Sequence, residues 1–190
     1  MPEHGTDHRE RRFEALYDAH YAGVLGYSRR RTRNDQEADD VLAETFLVAW
    51  RRLDEIPAQP LVWLLAVARR VLANQRRSER RRIALTDSLA HDRSRHESVA
   101  EAGKHGAADA VRAALAQLRE RDREILMLVE WDGLDRHEIA RLLRCSRASV
   151  DVRLHRARRR MAALLAAAGY EQGSNPRIES VAAYSTGERK

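Results

Sequence analysis

Apolar residues recur every three or four positions through most of this chain, and no sustained alternating pattern of the kind that predicts strands is found. One such stripe runs through residues 11–31 and predicts a first helix. A second helix is expected to start where Asn34 or Asp35 can cap it. Pro60 stands where proline opens a helix, and a third stripe follows it. These three helices are expected to share one core within residues 10–82.

The pattern changes after residue 82. Residues 83–106 are rich in His, Ser, Asp and Glu and lack an apolar period, which predicts a flexible linker. A second helical unit is expected over residues 107–168, and residues 169–190 are expected to form a disordered tail. The sequence therefore predicts an all-α protein of two small helical domains: an N-terminal helical bundle and a C-terminal helix-turn-helix domain, joined by a flexible linker.

Residues 135–161 are the most informative part of the second unit. Asp135 and Glu138 have the spacing of a capping box, and Ser146 can cap the next helix after a short turn. An apolar stripe then faces inward, while arginines point elsewhere: Arg147, Arg153, Arg156, Arg159 and Arg160. Two short helices of which the second is basic are typical of a unit that places one helix in the major groove of DNA.

The distribution of charge supports a nucleic-acid partner. The net charge is only +6, but positive residues cluster in residues 69–82 and 147–160, each block with a single acid. Such clusters attract phosphate backbones through counterion release. All but two of the 35 basic residues are arginine, which suits forked phosphate contacts but also fits a GC-rich genome. Solvated helix faces are the alternative interpretation of the two blocks.

Other chemistry finds little support in the sequence. Cys145 is the only cysteine, so an internal disulfide is excluded, and the histidines do not form a compact metal-ligand set with it. We find no Gly-rich phosphate loop and no nucleophile motif, and therefore expect no cofactor, no metal, no catalytic residues and no enzymatic activity. No stretch approaches the roughly 20 apolar residues that cross a bilayer, and no secretory signal is seen. A cytoplasmic protein without membrane insertion is expected.

Two separated motifs resemble one family. Residues 38–50 (ADDVLAETFLVAW) and 62–77 (VWLLAVARRVLANQRR) resemble the N-terminal domain of bacterial sigma-70-like factors, and residues 123–161 resemble their C-terminal domain. A two-domain chain of this size without the middle domain is similar to an extracytoplasmic-function (ECF) sigma factor. The resemblance implies a dissociable RNA polymerase subunit that binds the core enzyme and promoter DNA, recognises the −35 and −10 elements and assists duplex opening. It also implies an anti-sigma factor as a partner.

The resemblance assigns polymerase docking to the predicted second helix. The expected docking residues are Asp39, Asp40, Glu44 and Phe46, which match the family pattern or add to an acidic face. Ala43 stands where glutamine is common in the family. Acids near the start of a helix also complement its dipole, so a purely structural role is the alternative.

The third helix is assigned to the −10 element and to capture of the melted strand. The expected contacts are Trp63, Arg70, Asn74, Arg76 and Arg77. Arginines that follow a backbone and an aromatic ring that stacks on a base are what single-strand binding requires. Trp63 fits a core position equally well. The family's flipped-base loop corresponds to residues 56–59, which diverge from the pattern, so no base preference is assigned there.

The second reader helix is assigned to the −35 element. The resemblance places base reading on Asp151, Val152 and Arg156, and nearby backbone contacts on Arg147, Ser149 and Arg153. Asp151 stands where lysine or arginine is frequent. Its carboxylate cannot bind guanine O6 and N7 but can accept from cytosine N4, which predicts an altered −35 preference. The alternative is a surface ion pair between Asp151 and Arg147. Arg144 replaces a glycine that is usual in the turn, so either it tolerates the backbone angle or the turn differs.

Two other classes of function remain open at this stage. An operator-binding regulator would share the reader helices but would leave the acidic docking helix and the basic 69–82 block unexplained. A small helical enzyme acting on nucleic acid would need carboxylates or a metal set converging in a cleft, whereas the acids here are scattered. Binding to core polymerase separates the first alternative from a sigma factor.

Overall fold

The computed structural model describes residues 3–87 and 107–169. Within these ranges the chain is helical, with one 3-10 turn and no strand, and its helices group into two compact units. The predicted all-α fold is confirmed. Most of the predicted linker (83–106) and nearly all of the predicted tail (169–190) lie outside the described residues. No helix in the described ranges carries an apolar stretch long enough to span a bilayer.

The N-terminal unit contains three helices and a 3-10 turn. Helix α1 covers Glu3–Arg29, α2 covers Asp35–Arg51, the 3-10 turn covers Leu53–Glu55, and α3 covers Pro60–Asp87. Helix α1 therefore starts earlier than the apolar stripe indicated, and α3 continues five residues past the predicted end of the domain. The three helices pack on one another around a shared core, whose largest buried members include Val24, Tyr27, Val41, Phe46, Leu64, Leu65 and Leu72.

Local hydrogen bonds explain where α2 begins. Asn34 has extended backbone angles, and its side-chain oxygen accepts from the backbone N–H of Glu37 at 2.8 Å. The Glu37 carboxylate in turn accepts from the backbone N–H of Arg33 at 3.0 Å. Asn34, and not Asp35, is thus the capping residue.

Aromatic rings join α1 to α2. Phe13 and Tyr17 on α1 pack against Phe46 and Trp50 on α2, with ring centroids 4.6–6.2 Å apart. The Arg9 guanidinium lies over the Trp50 ring, 5.2 Å from its centroid. Tilted and edge-to-face ring contacts of this kind stabilise the pairing beyond the apolar area that they bury.

The C-terminal unit contains four helices: α4 (Ala107–Gln117), α5 (Glu120–Glu130), α6 (Arg136–Leu143) and α7 (Arg147–Ala167). Helices α4, α5 and α6 all pack on α7. Between α5 and α6 the chain turns at Gly133, whose φ of +66° suits glycine, and Leu134 is buried directly after it. The core contains Ala114, Leu118, Ile125, Leu126, Leu128, Ile139, Leu142, Val150, Leu154 and Ala157.

Candidate nucleic-acid interface and docking face

A complete capping box fixes the start of α6. The Asp135 carboxylate accepts from the backbone N–H groups of His137 and Glu138 at 2.7 and 2.8 Å, and the Glu138 side chain accepts from the Asp135 N–H at 2.8 Å. The predicted capping box is therefore confirmed. Hydrogen bonds to the charged carboxylate, first that from the Glu138 N–H, lower the pKa of Asp135.

Three residues, 144–146, form the turn between α6 and α7. Arg144 takes the left-handed conformation, with φ of +50° and ψ of +52°, so it tolerates the backbone angle that favours glycine. This conformation costs an L-residue about 1–2 kcal/mol. The Ser146 hydroxyl oxygen then accepts from the backbone N–H of Ser149 at 3.1 Å and caps α7 as predicted.

Helix α7 presents two different faces. Its inner face buries Val150, Leu154 and Ala157. The opposite face repeats at helical spacing and consists of exposed residues: Ala148, Val152, His155, Arg156 and Arg159. Val152 is 50% exposed, which is unusual for a branched apolar side chain. An arginine-bearing face with one exposed apolar group can contact both phosphates and a base edge.

The arginines of α7 divide into two groups. Arg158 pairs with Glu130 at 2.9 Å, and Arg160 binds the carboxylate of the buried Asp122. Within the described ranges, the side chains of Arg153, Arg156 and Arg159 form no hydrogen bond or ion pair. Arg160 therefore anchors α7 to α5, a contact that the sequence pattern did not indicate.

Asp151 has a partner that the sequence pattern did not indicate. The Nε of Arg136, at the start of α6, lies 3.0 Å from Asp151 Oδ1. Arg147 instead approaches His137, with 3.4 Å between Nη1 and Nε2. The alternative of an Asp151–Arg147 pair is thus wrong, because the neighbouring helix supplies a closer cation. The Ser149 hydroxyl lies 2.9 Å from the Ser146 hydroxyl, so it is engaged at the helix cap.

The residues predicted to contact the −10 element lie along α3. Trp63, Arg70, Asn74 and Arg77 fall on one face of this helix by their spacing. Trp63 is half-buried, and the other three are exposed. Arg77 donates to the Asn74 side-chain oxygen, and the exposed Arg76 donates to the backbone carbonyl of Arg31 at 3.3 Å. The structure therefore brings an indole ring, an amide and guanidinium groups together on one surface.

The acidic surface of α2 differs from the prediction at one position. Asp39, Asp40 and Glu44 are exposed as expected. Phe46 is 3% exposed and belongs to the core, so its prediction as a docking residue is not supported by its placement. Leu47, which sequence reasoning missed, is 48% exposed. Helical spacing was the available signal, because Phe46 continues the apolar period of Val41, Leu42 and Ala49, whereas Leu47 lies off it.

Comparisons with known proteins identify the family. The family model for Sigma-70 region 2 matches residues 16–82, and that for Sigma-70, region 4 matches residues 108–161. The chain is 34% identical over 149 residues to the ECF RNA polymerase sigma factor SigL of Mycobacterium tuberculosis, spanning 74% of this chain and 81% of SigL. The chain belongs to the ECF sigma factors. As such it is an RNA polymerase sigma factor, a transcription initiation factor that acts with core polymerase on promoter DNA.

Further relatives agree with this assignment. The ECF sigma factor BldN of Streptomyces coelicolor is 32% identical over 162 residues, covering 80% of this sigma factor and 60% of BldN. Among solved structures, RpoE of Bartonella quintana in complex with the anti-sigma factor NepR has a TM-score of 0.64 at 21% identity, covering 80% of this chain and 96% of RpoE. CnrH in complex with the cytosolic domain of CnrY has a TM-score of 0.58 at 24% identity, covering 83% of this chain and 90% of CnrH. Both support the fold.

No metal centre is evident in the part of the chain that the structure describes: it contains no group of three or more His, Cys, Asp or Glu side chains that could hold an ion. Cys145 is a free cysteine of intermediate exposure at the turn before α7.

Proposed function

We propose that this sigma factor recognises the −35 element of its promoters through α7. The observation that supports this most strongly is the division of the α7 arginines. Arg158 and Arg160 are held by acids of α5, whereas Arg156 and Arg159 share the exposed face with Val152. The fixed arginines set the orientation of α7, and the others are available to phosphates and base edges of the major groove.

The −10 element is assigned to the surface of α3 formed by Trp63, Arg70, Asn74 and Arg77. Guanidinium groups that follow a phosphate backbone, with an indole at one end, suit a single strand whose bases have unstacked. The half-buried Trp63 is compatible with both roles that the sequence left open, packing in the core and stacking on a base. Arg76 extends this surface toward the end of α1. Binding of the unstacked strand to this surface stabilises the opened duplex relative to the closed one.

Docking on core polymerase is assigned to the exposed face of α2 that carries Asp39, Asp40, Glu44 and Leu47. Acids give charge complementarity to a basic partner surface, and Leu47 supplies apolar area that leaves water on binding. Phe46 supports this face from inside. The polymerase supplies the chemistry of RNA synthesis, so this chain is assigned no catalytic residue, and it acts where the polymerase and the chromosome are, in the cytoplasm.

An anti-sigma factor is proposed as a further partner. RpoE, which shares this fold, was solved in complex with the anti-sigma factor NepR, and CnrH was solved with the cytosolic domain of CnrY. The exposed Leu47 and Val152 offer apolar contacts on the two surfaces that polymerase and DNA use in this proposal. A partner that covers either side chain would keep the sigma factor inactive.

Binding to core polymerase and to DNA, measured separately and together, tests the proposal. We expect the sigma factor to co-purify with added core enzyme, and the complex to bind a selected promoter far more tightly than the sigma factor alone. An operator-binding regulator would instead bind its site fully without polymerase. Chemical change of DNA or RNA by the protein alone would favour the nucleic-acid enzyme.

A further inference from the structure

The Arg136–Asp151 ion pair connects the first helix of the reader unit to the base-reading end of the second. Its Nε–Oδ1 distance is 3.0 Å, and the side chains are 50% and 44% exposed. Asp151 lies in the second turn of α7, next to the 50% exposed Val152. The N-terminal residues of a recognition helix are those that meet base edges in the major groove. The pair is therefore part of the surface proposed to read DNA.

A carboxylate on such a surface has a restricted set of partners. When ionised it only accepts hydrogen bonds, so it is compatible with an exocyclic amino group and repelled by guanine O6 and N7 or thymine O4. Adenine N6 is an amino group too, but the adjacent N7 is an acceptor and faces the same groove. Cytosine N4 has no neighbouring acceptor there. An isolated Asp151 would thus prefer cytosine, while being repelled by the nearby phosphates.

Arg136 changes both the base preference of this carboxylate and its repulsion by phosphates. Its guanidinium engages Oδ1, so Oδ2 is the oxygen that remains for a base, and the carboxylate has a defined orientation. It also offsets the negative charge that would weaken DNA binding. Arg147 does not compete for Asp151, because its guanidinium lies beside His137. In the described part of the chain, Arg136 is the one cation paired with Asp151.

We propose that Asp151 selects cytosine at one position of the −35 element, and that Arg136 is the positioning residue that makes this selection strict. This inference rests on the proposed function, because it requires α7 to enter the major groove. It goes further in naming the base, the oxygen that reads it, and a residue of α6 that determines specificity through another side chain.

The experiment is selection from randomised −35 sequences by the complete holoenzyme, followed by affinity measurements on sites that differ at one base. The proteins compared are the wild type, Arg136→Ala, Asp151→Ala and the double variant. We expect the wild type to prefer cytosine at one position by about tenfold. Asp151→Ala removes the preference, Arg136→Ala reduces it at the same position, and the double variant shows no greater loss than Asp151→Ala.

Two substitutions sharpen the result. Asp151→Asn keeps the shape but adds a donor, so the preferred base should change to adenine, with which an amide pairs through N6 and N7. Arg12→Ala is the matched control, because it also removes one arginine from a partly exposed ion pair, in this case with Asp54 of the N-terminal unit. We expect it to leave the preference for cytosine unchanged. Arg136→Lys should restore part of the preference, since it keeps the charge but not the forked geometry.

Two results would overturn the inference. One is an Arg136→Ala holoenzyme that binds all sequences more weakly by one common factor while its cytosine preference stays intact, because Arg136 would then contact only phosphate. The other is a wild type that selects a −35 sequence to which Asp151→Ala makes no difference. A wild type that selects no −35 sequence at all would instead overturn the proposed function, and the inference with it. Melting curves of the variants verify that they are folded.

Discussion

Phe46 and Leu47 are neighbours in the chain, yet Phe46 is buried in the core of the N-terminal unit and Leu47 is exposed to solvent. The ring centroids of Phe46 and Tyr17 are 4.6 Å apart, and Phe46 is 3% exposed, whereas Leu47 is 48% exposed. A helix advances about 100° per residue, so one of two adjacent apolar residues can complete the core while the other borders the solvent-facing acids. This pair separates the residue that supports α2 from the one proposed to dock.

Replacing Leu47 tests the docking face. Leu47→Ala should weaken binding to core polymerase by about tenfold, because burial of a half-exposed leucine contributes about 1–1.5 kcal/mol. Its free energy of unfolding should remain within about 0.5 kcal/mol of wild type. Phe46→Ala is the matched substitution in the core and should destabilise the unit by about 3–5 kcal/mol. Polymerase affinity and urea unfolding distinguish the two, and unchanged polymerase affinity of Leu47→Ala would contradict the assignment.

The two classes of arginine on α7 should respond differently to substitution. Arg160→Ala leaves the buried Asp122 carboxylate without its guanidinium partner and should lower the free energy of unfolding by about 1–3 kcal/mol. Arg156→Ala should leave stability unchanged but reduce the slope of log affinity for DNA against log salt by about one unit. Denaturation and salt titration measure these effects. The same salt slope for Arg156→Ala and wild type would show that Arg156 does not meet a phosphate.

The left-handed residue of the turn offers a stability test. Arg144→Gly should raise the free energy of unfolding by about 1 kcal/mol, because glycine adopts a φ of +50° without the steric penalty of a side chain. Arg144→Ala removes the same charge but keeps the penalty, so it is the control. An equal gain in stability from both substitutions would indicate that loss of charge, and not relief of strain, is responsible.

The capping carboxylate gives the C-terminal unit an acid-sensitive contribution to stability. The folded pKa of Asp135 is lowered from its ordinary 3.8, so its contribution is complete above that value and is lost as the pH falls through the folded pKa. Asp135→Asn keeps a capping oxygen but has no charge to lose. Its melting temperature should therefore fall less than that of the wild type between neutral pH and pH values below 3.8. Parallel melting curves of both proteins would contradict this origin of the acid sensitivity.

Features that depend on nearby residues could be predicted from the sequence. The apolar stripes, the Asp135 capping box, the Ser146 cap and the reader unit all depend on spacings of three or four residues, which the helix itself turns into one face. The placement of Arg70, Asn74 and Arg77 on one face of α3 follows from the same spacing. The resemblance to sigma factors predicted the family, because the N-terminal and C-terminal motifs occur in one chain and in that order.

Features that depend on contacts between helices could not be predicted. Arg160 meets Asp122 and Arg136 meets Asp151 only after the helices have packed, and long flexible side chains offer many partners at the sequence level. The aromatic contact between Phe13 and Trp50 also joins residues that are far apart in the chain.

Mapping the 5′ ends of transcripts made in vitro by core polymerase, with and without this sigma factor, measures whether it directs initiation from specific promoters. On fragmented DNA of the source genome, we expect starts that need the sigma factor and that share upstream −35 and −10 sequences at a constant spacing. The Arg156→Ala variant should use the same starts with lower yield. Random starts that do not change when the folded sigma factor is added would contradict the account.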